Sequence, residues 1–267
     1  MEREMETEQN ESQKVEEAEN AGFSELERNK IQLMKAHLHK QDPSFVEVDD
    51  YTMRRFLQAR NLDIEKASIM LLKYLKWRHT FVEKGYISPS EVSNEIAQNK
   101  VFVQGVDKQG RPIVVVFGGR HLQIKDGFEE FKRFVVFALD KVCARLLAGN
   151  EEFMTILDLQ GYGYSNSDAR GYIGVLSILQ DYYPERLGKC LIIHVPYVFW
   201  ALYKIMYPFI NNNTRNKIMF VDNRVLTSTL LEFIDERQLP DLYGGKQPLV
   251  PIHNCEHPRQ QQPQNSS

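Results

Sequence analysis

Residues able to do chemistry are plentiful in this chain, but few are spaced for catalysis. Gly161-Tyr162-Gly163 follows the strand-like FMTILDLQ, yet Asn166 stands where a dinucleotide fingerprint needs its third glycine, and two tyrosines crowd the loop. No G-x-x-x-x-G-K-[ST] phosphate loop, H-E-x-x-H pair or G-x-S-x-G elbow occurs. The seven histidines are scattered, and His194, which ends an apolar strand, reads as a satisfied structural histidine. Cys143, Cys190 and Cys255 form no C-x-x-C pair, and their odd number closes no disulfide framework, which fits a reducing compartment. No catalytic residue, metal or cofactor is expected.

Three stretches suit binding instead. In YYPERLGK, Pro184 ends a helix and the oppositely charged Glu185 and Arg186 follow; the pair reads either as a local surface ion pair or as a placed carboxylate. In NNNTRNKI, Thr214 and Lys217 lie three residues apart, so a helical turn would put a hydroxyl and an ammonium on one face, a combination that suits phosphate. A polar connection with solvated charges is the competing reading. VFWALYKIMYPFI is apolar on nearly every side around the single Lys204, as a core helix or a movable cover over an apolar cavity would be.

The elements that must position these residues are legible from periodicity. A capping box of Ser24 and Glu27 opens a helix that carries Leu26, Leu33, Met34 and Leu38. Further helices begin near Asp49 and at Asp63. The texture then changes to VFVQGV, a DKQGRP turn and IVVVF, two strands in a hairpin. Beyond them, helices from Phe128 to Leu146, Ser167 to Tyr183 and Tyr197 to Ile210 alternate with the strands FMTILDL, KCLIIHV and KIMFV. Alternation at crossover length predicts a mostly parallel sheet.

Residues 1–22 hold eight glutamates and almost no large apolar side chains, so they are expected to be a disordered acidic tail. A tail is also expected over 258–267, with a helical lobe at 23–85 and an α/β domain at 86–257. A formal net charge of −3 argues against general nucleic-acid binding. The absence of a signal-like start or of an apolar run near 20 residues predicts a cytoplasmic chain.

Taken in order, FLQARNLDIEKA, KWR, DKQGRP, TILDLQG, YYPERLGKCLIIHVP, PFINNNTRNKI and LPDLYGG resemble the CRAL-TRIO lipid-binding family, in particular its phosphatidylinositol transfer proteins of yeast and plant type. The resemblance covers about Phe23 to Gly245. It implies an α/β fold in which an N-terminal helical lobe precedes a mixed, mostly parallel sheet whose helices enclose an apolar lipid pocket. It further implies headgroup contacts from Arg60, Glu185, Thr214 and Lys217, and a gate with membrane-contacting residues Phe199, Trp200, Tyr203, Met206, Phe209 and Ile210. Phosphatidylinositol is the implied ligand, with transient peripheral contact to membranes, a monomeric state and presentation of lipid to lipid kinases. The rival function is a phosphoinositide or lipophile sensor that does not transfer its ligand. Where relatives that also bind phosphatidylcholine carry tyrosines and a serine, this chain has Val103, Val114, about Ala138 and Phe153, and keeps only Thr155. Without an aromatic cage a quaternary ammonium forfeits roughly 0.5–2 kcal/mol per ring, so weak phosphatidylcholine binding is expected.

Overall fold

The computed structural model describes residues 22–146 and 149–255, so both expected tails, apart from Gly22, lie outside the described residues. The chain divides into two compact units, Met1–Lys76 and Trp77–Ser267.

The first unit packs helices α1 (Glu25–Gln41), α2 (Asp50–Gln58) and most of α3 (Ile64–Phe81) around Met34, Met53, Phe56, Leu57 and Leu71. The capping box forms as expected: the Ser24 hydroxyl accepts from the Glu27 amide, and the Glu27 carboxylate accepts from the Ser24 amide. Asp49 caps α2 through the Thr52 amide at 2.8 Å. One expectation on α1 is corrected. Ile31, Met34 and Leu38 are buried, whereas Leu26 and Leu33 are more than half exposed. The buried stripe at spacings of three and four is narrower than the apolar composition suggests, and Leu26 and Leu33 fall outside it.

The second unit is built on six strands in the order β5-β4-β3-β2-β1-β6. They are β1 (Val101–Val106), β2 (Pro112–Phe117), β3 (Phe153–Asp158), β4 (Leu187–Ile193), β5 (Ile218–Phe220) and β6 (Val250–Pro251). Strands β2 to β5 run parallel, while β1 pairs antiparallel with β2 and β6. The sheet is therefore mixed and mostly parallel. Its crossovers and flanks are helices α4 (Ser93–Ala97), α5 (Phe128–Cys143), α6 (Ala169–Tyr182), α7 (Tyr197–Met206), α8 (Asn212–Lys217) and α9 (Leu226–Phe233).

Strand alternation sends side chains to two faces with different fates. On one, Ile113, Val115, Met154, Ile156, Leu191 and Ile193 are fully buried and sealed by α9 with Leu239 and Tyr243. On the other, Val114 and Phe153 pack under α5, while Ile192 and Leu202 pack in a separate cluster beside α7. Between those clusters Val116, Thr155, Leu157 and Cys190 stay only half-buried, as do Val175, Leu176 and Leu179 on α6. These half-buried side chains are mostly apolar and lie on the sheet face that carries α5, α6 and α7. Burial pushes the Cys190 thiol up to about 12.

Candidate functional site

Each parallel strand has at least one charged residue at or just before its N-terminal end. Arg111 precedes β2, Glu152 precedes β3, Glu185 stands two residues before β4, and Lys217 precedes β5. Because those strands are parallel neighbours, the four residues fall along a single edge of the sheet. Most open α/β sheets place ligands at the opposite, C-terminal edge.

Lys217 lies between two carboxylates. Its Nζ is 3.2 Å from Glu152 Oε1 and 3.3 Å from Glu185 Oε2. The Glu185 carboxylate also accepts from Asn213 Nδ2, which lies 2.8 Å from each oxygen. Glu185 adopts a φ of +54°. That left-handed backbone costs a glutamate about 1 kcal/mol or more and is the kind of strain that collects at functional positions. The two tyrosines before it hold this corner. Tyr182 stacks on Trp77 at 3.8 Å between centroids. Tyr183 donates to Asp140 at 2.7 Å and accepts from Arg78 at 3.1 Å, and burial with the nearby Asp140 carboxylate pushes its phenol well above its usual range. Arg186 does not pair with Glu185; its guanidinium donates to the Glu151 carbonyl at 3.0 Å and ties the starts of β3 and β4 together.

Glu152 is fixed from the other side. In the DKQGRP turn Asp107 Oδ1 accepts from the amides of Gln109 and Arg111, and Oδ2 accepts from Arg111 Nε at 2.6 Å. The buried guanidinium then reaches Glu152 Oε2 at 3.4 Å. Gly188 makes room for the pair: a β-carbon there would sit 2.5 Å from the Arg111 guanidinium and 2.6 Å from the Glu152 carboxylate.

Thr214 and Lys217 do share a helical turn. Asn211 caps α8 by accepting from the Thr214 amide at 2.7 Å. Among the described residues no hydrogen bond engages the Thr214 hydroxyl. Arg60 belongs to the first unit, where its guanidinium donates to the Ala59 carbonyl at 2.9 Å. Thus three of the four expected headgroup residues sit within the second unit, two on α8 and Glu185 bonded to one of them.

Helix α7 precedes this corner. Phe199 and Ile210 are buried, Tyr203 and Met206 are partly covered, and Trp200 and Phe209 are exposed together with Ile205 and Tyr207. The segment joining α7 to α8 is anchored twice. Gln180 on α6 donates to the Phe209 carbonyl at 2.8 Å and accepts from the Asn211 amide at 3.0 Å. Arg215 donates to the Tyr207 carbonyl at 2.8 Å and lies over the Tyr207 ring.

At the C-terminal edge the polar groups are satisfied internally. Asp158 bonds His194 Nδ1 at 2.8 Å and accepts from the Tyr243 hydroxyl at 2.8 Å. Among the described residues no group of three or more His, Cys, Asp or Glu could hold a metal ion, and no helix is long and apolar enough to cross a membrane.

Glu152, Arg111, Asp107 and Asn213 escaped sequence reasoning. For Glu152 and Arg111 the signal was positional, a charged residue immediately before a predicted parallel strand; Asp107 in the turn and Asn213 on α8 carried none.

With this geometry, comparison with known proteins is specific. The CRAL/TRIO domain matches residues 96–245, and the chain belongs to the CRAL-TRIO family. It is 32% identical over 222 residues to the CRAL-TRIO domain-containing protein YKL091C of Saccharomyces cerevisiae, covering 74% of this chain and 71% of that one. Similarity to the Sec14 cytosolic factor of Schizosaccharomyces pombe is 30% over 229 residues, 79% of this chain and 77% of the relative. The phosphatidylinositol/phosphatidylcholine transfer protein SFH4 of Arabidopsis thaliana is 31% identical over 217 residues, 74% of this chain but only 36% of the plant protein. The crystal structure of Sfh5 has the same fold, with a TM-score of 0.61 at 20% identity, covering 84% of this chain and 88% of that one.

Proposed function

We propose that the protein binds phosphatidylinositol, with its acyl chains in the apolar space beneath α5, α6 and α7 and its headgroup at the N-terminal edge of the sheet, and carries it between membranes. The observation that carries this reading is the Thr214, Lys217 and Glu185 cluster beside a half-buried sheet face. An ammonium and an unengaged hydroxyl suit the phosphodiester, and a carboxylate accepts from inositol hydroxyls. Arg60 enters the headgroup set on family resemblance. The exposed Trp200 and Phe209 beside buried Phe199 and Ile210 suit a cover that meets the bilayer with one side and the cargo with the other. Transient membrane contact, a cytoplasmic setting, action as a monomer and delivery to lipid kinases accompany this reading, in which binding rather than catalysis is the activity.

Phosphatidylcholine is a poor second cargo on the same reading. Val103, Val114, Ala138 and Phe153 are all buried among apolar neighbours, and only Thr155 offers a hydroxyl.

Vesicle-to-vesicle transfer of labelled phosphatidylinositol and phosphatidylcholine tests both statements. Lys217→Ala should lower phosphatidylinositol transfer by at least about tenfold, the loss of a charged hydrogen bond being worth roughly 1.5–3 kcal/mol, with the fold intact. Arg60→Ala should lower it in the same assay. Unchanged transfer by the Lys217 variant removes the site, brisk phosphatidylcholine transfer by the wild type removes the cargo preference, and lipid extraction without delivery favours a sensor.

A further inference from the structure

Glu152 has no part in the phosphate and polyol contacts given to Thr214, Lys217 and Glu185, yet it is held as firmly as they are. Arg111, itself locked by Asp107, grips one oxygen; Lys217 meets the other; and Gly188 is the residue that leaves space for the arrangement. Its side chain is 35% exposed and that of Lys217 only 18%, so the carboxylate stands at the open side of the cluster. Asp107 and Arg111 form a buried pair and cancel. Within the second unit, what remains facing a ligand is one ammonium between two carboxylates, a local excess of negative charge.

We propose that Glu152 is a specificity-determining residue that confines the site to inositol headgroups whose only charge is the phosphodiester, and turns away inositol bearing further phosphate monoesters. The inference rests on the phosphatidylinositol reading above and gives that site its selectivity. The phosphodiester takes the place of a carboxylate at Lys217, and Glu185 accepts from ring hydroxyls while Glu152 stays at the rim of the cluster. A monoester on the ring reverses this. It carries about −1.5 to −2 charges and three acceptor oxygens, so acceptor faces acceptor and like charges meet in a partly desolvated pocket. Discrimination of this kind comes from repulsion of the wrong ligand rather than from extra attraction to the right one.

The test uses the full chain and vesicles of a neutral carrier lipid containing either phosphatidylinositol or phosphatidylinositol 4-phosphate. Extraction of each is measured for wild type, Glu152→Gln and Lys217→Ala. The Gln variant keeps the shape of Glu152 and removes its charge. It should extract phosphatidylinositol within about threefold of wild type and the 4-phosphate at least about tenfold better. Salt provides a second readout that a merely structural role would not move. The discrimination shown by wild type should shrink as ionic strength rises, and that of Glu152→Gln should stay flat. An unchanged preference in Glu152→Gln, with Lys217→Ala still losing phosphatidylinositol, overturns this inference alone. If Lys217→Ala extracts phosphatidylinositol normally, the headgroup reading falls and takes the inference with it. Glu152→Thr repeats the comparison should the Gln protein fold poorly; a preference unchanged in that variant counts equally against Glu152.

Discussion

Glu185 is the residue at which local cost and the proposed headgroup contact meet. Its positive φ is a liability for stability, and its partners Asn213 and Lys217 lie on an element distant in sequence. Glycine removes the backbone cost and the carboxylate together. Glu185→Gly should therefore leave the thermal midpoint within a few degrees of wild type or above it, while phosphatidylinositol transfer drops at least about tenfold. A large fall in the midpoint would mean that the carboxylate serves the fold. Glu185, Thr214 and Lys217 were legible in the sequence as candidates because motif order and spacing carry them, and the structure pairs Glu185 with Lys217. Glu152 and Asn213 were not, because their roles follow from which strands become neighbours, and strand order is a tertiary property. Arg186 was misleading for the same reason: adjacency in sequence to Glu185 suggested an ion pair, whereas the chain direction sends its guanidinium to the Glu151 carbonyl.

At the scale of elements, capping and periodicity foretold α1, α2, α3, α5, α6 and α7 but not the short α4 and α9, and the YYPER proline marks the end of α6 as expected. The burial of individual positions was harder to foresee. Leu26 and Leu33 are apolar yet exposed on α1, and α7 is apolar all round yet only partly buried, so composition alone did not say which side faces inward. The element with most leverage is the short link between α7 and α8. Gln180 holds its middle and its α8 end through one carboxamide, so displacement of the proposed cover and displacement of Thr214 and Lys217 would share an anchor. Gln180→Ala should speed release of bound phosphatidylinositol severalfold in a stopped-flow dilution experiment and change the preference between phosphatidylinositol and its 4-phosphate by less than about twofold. A release rate equal to wild type would show that the link is held elsewhere.

Across the second unit, a buried charged network ties α4, the start of β1 and the start of α6. Lys100 bonds Glu95 and Gln98 and lies 2.8 Å from His121 Nδ1, with Asp168 3.5 Å from the other ring nitrogen. Burial, aided by the Lys100 charge, lowers His121 to about 4 from an ordinary value of 6.5. Between those values the unfolded chain takes up a proton that the folded chain refuses, so His121 costs stability as pH falls from about 6.5 toward 4 and has no effect above. The full gap corresponds to roughly 3 kcal/mol. Glu95, raised by burial, acts in the opposite sense. Urea unfolding at pH 7 and 4.5 should show His121→Asn losing about 2 kcal/mol less than wild type over that interval; parallel losses would refute the assignment. The unequal faces of the sheet carry a different consequence. Met154, Ile156, Leu191 and Ile193 hold the unit together from the sealed side, while Val116, Thr155, Leu157 and Cys190, only half-buried, face the space proposed for the acyl chains. Divergence can therefore run at two speeds within the same strands. Alternate positions are free to change cargo over evolutionary time while their immediate neighbours keep the architecture, and one sheet can serve many lipids without being rebuilt.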